Sequence, residues 1–276
     1  MPSTLLTLPP TNMLWKLILS LAAIFSHNGY HNSEQHEEFV PTPTGPQTLE
    51  EEAVARAALH GEHYGGDMIF PDEWNETDAG IRDPRFRWPG YPGRGVVPYV
   101  IDPSLGRFRN VILQGMEQYH KHTCIRFVPR TNERDYIRMY FGNGCWSMIG
   151  RNGGRQDLSL GQGCAYVGLV IHELGHAIGL FHEHQRSDRD KYITVYKNNV
   201  IPNQLHNFVL TDPSRELIFT PYDYNSIMHY GNYAFSRVPN RLPTMVAKNG
   251  QRLYEPYEKP GFDQADIYMI KKLYQC

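Results

Sequence analysis

The chain has 276 residues, 41% hydrophobic and 20% charged, which is enough for a filled core and a length that suits one or two domains. Its formal net charge of -2 offers no global field for nucleic acid or an anionic membrane, so neither is expected as a partner. Thirteen histidines exceed ordinary composition, and their spacing must decide which of them carry chemistry.

Leu17 to Phe25 is an apolar run preceded by Lys16 and followed by polar sequence from Ser26. It suits the apolar region of an export signal and is too short to span a bilayer. No base precedes Lys16, so Met13 is an alternative start to Met1. No later stretch is long and apolar enough to span a membrane. Residues 1–26 are therefore read as a signal peptide, and the product as secreted and extracellular. From 27 to 60 the sequence is polar and punctuated by Pro41, Pro43, Gly45 and Pro46. A helix is predicted from Glu50 to His60, because its acidic start complements the helix dipole. This section lacks the apolar density for a core of its own and reads as a pro-segment.

The composition changes near residue 79. Trp88 and then Val96 to Ile101 mark a folded domain and its first strand, followed by a helix from Leu105 to His120 with Ser104 as N-cap. Strands are predicted at Cys124 to Val128 and Tyr136 to Phe141, then a Gly-rich loop from Gly150 to Gly163 and a helix from about Val167. A last helix, Gln264 to Tyr274, is capped by Asp263. No internal repeat is visible. The four cysteines, Cys124, Cys145, Cys164 and Cys276, suggest two disulfides in an exported chain, with three pairings open. Metal ligation by these cysteines is the weaker rival, since no C-x-x-C pair is present.

Residues 172 to 183 read HELGHAIGLFHE. On a helix His172 and His176 lie one above the other and can converge on one ion at about 2.0–2.1 Å. In a continuous helix His182 would lie roughly 15 Å further along the axis, so the chain must turn sharply. Gly179 tolerates the left-handed conformation that such a turn needs. Three neutral imidazoles leave a zinc ion dipositive with a coordination position open, the arrangement of a catalytic site. Glu173 is placed to act as general base on a zinc-bound water. At roughly 5% per position, a chance match to six specified residues is improbable by several orders of magnitude.

This motif resembles that of the metzincin zinc proteases, and Glu183 after the third histidine points to the astacin family. Ser226-Ile227-Met228-His229-Tyr230 is similar to the family's Met-turn, as are Asp188-Arg189-Asp190 and the stretch from Gly144 to Cys164 to other family segments. The resemblance covers residues 79 to 276. It implies that Met228 forms a hydrophobic floor beneath the zinc and that Tyr230 is a displaceable ligand whose hydroxyl stabilises the oxyanion. It implies the disulfides Cys124–Cys276 and Cys145–Cys164. It also implies a mature N-terminus at about Ala79, whose ammonium is water-linked to Glu183. Asp78 precedes that cut where many relatives have a basic residue. Tyr64-Gly65-Gly66-Asp67-Met68 is similar to the family's latency motif, so Asp67 is expected as a zinc ligand in the latent form only. Asn75-Glu76-Thr77 is a glycosylation sequon at Asn75.

The fold expected from the resemblance is α+β, a two-lobed metzincin or zincin-like protease. A twisted mixed sheet and the zinc-binding helix form the upper lobe (79–182). An irregular lower lobe (183–276) ends in the C-terminal helix. The organisation is a signal peptide (1–26), a pro-segment with an aspartate switch (27–78) and an astacin-like catalytic domain (79–276). The expected activity is that of a zinc-dependent endopeptidase with one Zn2+ per subunit. It is made as a latent, monomeric precursor, with its own pro-segment as inhibitor and proteins or peptides as substrates. The alternative is a non-catalytic, zinc-stabilised extracellular binding protein. The strand at Tyr136 to Phe141 is expected to lie at a sheet edge and bind extended substrate. With nothing after Cys276, substrate choice is expected to come from the cleft. Arg237, Arg241 and Lys248 are candidate partners for the acidic residues that the family favours after the scissile bond, or plain surface residues.

Overall fold

A computed structural model describes residues 45–70 and 82–276. The signal peptide at 1–26, the alternative starts Met1 and Met13, the sequon at Asn75 and the cut between Asp78 and Ala79 lie outside the described residues.

Thr48 opens helix α1 (Leu49–Leu59) by accepting the Glu51 N–H, while the Glu51 carboxylate accepts the Thr48 N–H. Glu50, Glu51 and Glu52 sit in the first turn, where the dipole favours negative charge. Two residues of strand β1 (Met68–Ile69) follow. The chain then forms β2 (Gly95–Ile101), α2 (Arg109–His122), β3 (Ile125–Pro129), β4 (Tyr136–Tyr140), β5 (Cys145–Met148), β6 (Arg155–Leu160) and α3 (Val167–Ala177). Six strands make one mixed sheet in the order β1-β5-β6-β4-β2-β3, in which β5–β6 is antiparallel and the other pairs are parallel.

Three expectations need correction. The strand at Tyr136 to Phe141 is not at an edge, because β4 lies between β2 and β6. The edge on that side is β1, which is paired in parallel along β5. The Gly150 to Gly163 segment is not all loop: Gln156, Leu158 and Leu160 point inward and make β6 a strand. Ser104 caps nothing, because Asp102 accepts its N–H, Pro103 starts a 3-10 turn, and α2 begins only at Arg109.

Helix α3 is buried from Gly168 to Ala177, as a helix enclosed by core on all sides must be. It touches α2 closely, since a Cβ on Gly115 would come within 2.5 Å of Val170 Cγ1. A buried helix end needs partners for its last carbonyls. Trp88 Nε1 donates to the Ala177 carbonyl at 2.7 Å, and the Tyr274 hydroxyl to that of Ile178 at 3.1 Å. Helix α3 is thus fixed by Trp88, before β2, and by Tyr274, at the end of the last helix.

Beyond α3 the chain is mostly short 3-10 turns, with β7 (Ile193–Val195) antiparallel to β8 (Met245–Ala247), and it ends in α4 (Gln264–Tyr274). Disulfides join Cys124 to Cys276 and Cys145 to Cys164. The first ties the C-terminus to the start of β3, and the second clamps β5 to the loop before α3. The architecture is α+β, with a mixed sheet and zinc helix before Glu183 and sparse regular structure after it. No helix among the described residues is long and apolar enough to cross a membrane.

Candidate metal centre and catalytic site

Helix α3 carries His172, Glu173 and His176 and stops at Ile178. Gly179, at φ +101°, turns the chain back, and the Leu180 N–H closes the helix end on the Gly175 carbonyl at 2.9 Å. That reversal delivers His182 to the other two histidines. The three Nε2 atoms stand 3.1–3.2 Å from one another.

The second ring nitrogens identify the tautomer. His172 Nδ1 faces the Ile227 carbonyl at 2.8 Å, and His176 Nδ1 faces that of Leu180 at 2.8 Å. His182 Nδ1 faces Gln185 Oε1 at 3.1 Å, and the Gln185 amide is oriented by donating to the Asn207 carbonyl. Each of these oxygens can only accept, so each ring proton sits on Nδ1 and each Nε2 lone pair points inward. Burial pushes His172 down to about 4 and lowers His182, so both rings stay neutral at physiological pH.

Asp67, directly before β1, reaches into the same point. Its Oδ2 lies 2.9 Å from His172 Nε2, and its Oδ1 is 3.3 and 3.1 Å from those of His176 and His182. The Asp67 Oδ1 atom is buried and has no hydrogen-bond partner among the described residues. Three imidazole lone pairs and a carboxylate converging in a dry site repel one another unless a cation lies between them. Tetrahedral ligands about 2.05 Å from one ion stand about 3.3 Å apart, so the donor set and its spacing fit zinc.

The remaining residues surround this centre. Glu173 is buried, with neither carboxylate oxygen hydrogen-bonded among the described residues, and burial, then the Asp67 charge, push its proton affinity well above the ordinary range. Tyr230 donates to Asp67 Oδ2 at 2.6 Å and packs its ring 4.4 Å from that of His182. Met228 lies against the helix, since a Cβ on Gly175 would meet its Sδ at 2.7 Å. The Met228 carbonyl accepts the Glu183 N–H. Glu183 is pushed up to about 7 by burial, offset by Arg186 at 2.7 Å and by the Asp223 N–H at 2.8 Å. Arg237, Arg241 and Lys248 are exposed, and Lys248 donates to the Asp190 carbonyl.

Sequence reasoning missed the residues that aim the ligands. Asp266 of α4 accepts from Ser226 Oγ and the Ile227 N–H, which fixes the carbonyl that orients His172. Gln185 had a faint signal, as a polar side chain three residues after a ligand. The Ile227 and Leu180 carbonyls had none.

A buried acid beside three histidines of this spacing defines a zinc metallopeptidase centre. The family model described as Astacin, a peptidase family, matches residues 81–275. The chain belongs to the astacin family and is a zinc metalloendopeptidase acting on protein or peptide substrates. It is 38% identical over 216 residues to astacin-like metalloprotease toxin 1 of Loxosceles intermedia, covering 76% of this chain and 80% of that one. It is 43% identical over 218 residues to high choriolytic enzyme 2 of Oryzias latipes, covering 76% and 75%. The solved structure of high choriolytic enzyme 1, a hatching enzyme zinc-protease of O. latipes, matches with a TM-score of 0.64 at 40% identity, covering 70% of this chain and 96% of that one.

Proposed function

We propose that the chain is the secreted, latent precursor of this endopeptidase, with residues 1–26 as signal peptide, 27–78 as pro-segment and 79–276 as catalytic domain. The observation that carries the reading is the Asp67 carboxylate, which lies within 3.3 Å of all three imidazole nitrogens and also takes the Tyr230 hydroxyl. A carboxylate in that position excludes substrate from the site until residues 27–78 are removed.

His172, His176 and His182 would hold the zinc, with Asp67 as a further ligand in the latent form. Zinc bound there supplies Lewis acidity and brings the pKa of water at the site towards about 7. Glu173 then accepts the proton of the attacking water and passes it to the leaving amine. Tyr230 is kept for the substrate: its hydroxyl donates to the scissile carbonyl oxygen as negative charge grows there. Met228 provides the apolar floor. The new N-terminal ammonium at about Ala79 would partner Glu183, and a cavity of about 50 Å³ beside Glu183, lined also by Asp223 and Asp266, has room for bridging water. The processed chain acts as an extracellular monomer, and Asn75 carries glycan on the discarded segment.

The test is hydrolysis of casein or fluorogenic peptides by the chain before and after removal of residues 27–78. Activity should appear only after removal and be abolished by a chelator and by Glu173→Ala. Full activity in the uncut chain would sink the latency reading, and retained hydrolysis in Glu173→Ala would sink the mechanism.

A further inference from the structure

His60, at the C-terminal end of α1, sits in a slot built entirely by the catalytic domain. Its ring lies 5.1 Å from that of Tyr230 and 4.6 Å from that of Phe235. At the end of the slot is Glu255, whose Oε2 is 3.4 Å from His60 Nε2. Both side chains are buried, at 6% and 5% exposure. Neither Glu255 oxygen has a hydrogen-bond partner of ordinary geometry among the described residues. The buried Lys259 donates to the Ser226 and His229 carbonyls, and Arg252 pairs with Glu258. Beside the slot, a cavity of about 340 Å³ is lined by Leu253, Glu255 and Tyr257 and by Glu52 and Arg56 of α1.

Burial by itself would make the Glu255 charge costly, yet its proton affinity is lowered, with the His60 imidazole as the largest opposing cause. Removing the nearest partner from a buried carboxylate is unfavourable unless another donor or cation takes its place. Departure of α1 would therefore open a slot walled by Tyr230 and Phe235, with a carboxylate at its end that has lost its nearest side-chain partner and keeps the Gly231 N–H and the Lys259 charge. Aromatic walls favour a flat cation by stacking and cation–π attraction, and the carboxylate accepts two guanidinium hydrogen bonds.

We propose that this slot is a substrate subsite for a basic side chain, arginine before lysine, and that Glu255 is the residue that selects it. His60 stands in for that side chain in the latent form. The inference rests on the reading that the pro-segment is removed to give the active protease. It also runs against the family's preference for acidic residues next to the scissile bond.

The full-length chain is cleaved to remove the pro-segment and profiled with a positional fluorogenic peptide library. At one position, arginine peptides should exceed glutamine peptides in kcat/KM by about tenfold or more, and glutamate peptides by more still. Glu255→Gln should collapse that ratio, and Glu255→Arg should turn it towards acidic peptides. A library with no basic preference at any position, from an enzyme still sensitive to Glu173→Ala, overturns the subsite and leaves the protease reading intact. An equal loss across all peptides in Glu255→Gln overturns it in favour of a structural role. A measurement free of turnover and of Glu255 variants uses a labelled peptide of residues 45–70, with binding to the cleaved wild type read by fluorescence anisotropy. His60→Arg should bind about tenfold tighter than His60→Glu. Equal affinities would overturn the assignment.

Discussion

The Tyr230 hydroxyl donates to Asp67 Oδ2 across 2.6 Å, and that same oxygen lies 2.9 Å from His172 Nε2. One carboxylate thus engages both a metal-facing imidazole nitrogen and the phenol to which the proposed mechanism assigns the substrate carbonyl. Asp67→Ala in the uncut chain should therefore release measurable peptide hydrolysis before any cleavage. Because α1 still covers the cleft, the rate should stay below that of the cleaved wild type. An uncut variant as silent as the wild type would show that steric cover, not the carboxylate, enforces latency.

Glu173 touches none of the imidazole nitrogens, so its loss should separate chemistry from metal binding. Glu173→Gln in the cleaved enzyme is expected to lower kcat by about 10²–10⁴-fold, the range of a positioned general base. Zinc content by elemental analysis should stay at one per chain. A parallel fall in zinc would make the residue part of the metal's support.

Trp88 donates to the Ala177 carbonyl in a fully buried setting. Trp88→Phe removes the donor and leaves the carbonyl without it, at a cost of about 1–3 kcal/mol. Thermal melts of the zinc-loaded chain should show a clear drop in Tm. An unchanged Tm would mean that another donor or water replaces the indole.

Asp223 is pushed from 3.8 up to about 8 by burial and then by Asp263, with Asp266 adding to the effect and Lys259 nearby. A carboxyl whose proton is held more tightly in the folded state stabilises the fold while protonated. That contribution is complete below the ordinary value and is lost as pH rises towards about 8. Across this window the wild type should lose stability relative to Asp223→Asn, which stays neutral. A stability difference between the two that does not change with pH, measured by denaturant unfolding, would refute the shift.

The ligand set was legible because helical geometry links His172 to His176 over four residues, and because Gly179 is the one way to bring His182 back. The first and last helices among the described residues were equally readable from Glu50 to Glu52 and from Asp263. What could not be read is whatever depends on strand order. Tyr136 to Phe141 and Cys145 to Met148 are both short strand-like runs, and only the crossover places the first inside the sheet and the second at its margin. The Ser104 assignment failed because Asp102 and Ser104 are both good caps, and Pro103 decides between them by starting a 3-10 turn. The His60–Glu255 contact joins distant segments with no periodicity to announce it.

The Cys124–Cys276 bond closes a covalent ring that contains the three zinc-binding histidines, His172, His176 and His182, together with Glu173, Tyr230 and Glu255, to which the proposals above give roles. Asp67 and His60 lie outside it, and all four cysteines of the chain are used within 124–276. A stray cut within the ring leaves its pieces linked through sulfur, whereas a cut within 71–81 leaves the segment that carries Asp67 and His60 with no covalent hold. On the proposed activation, topology separates it from damage within the ring: under non-reducing conditions a nick at 124–276 loses no fragment, while the proposed cut sheds one.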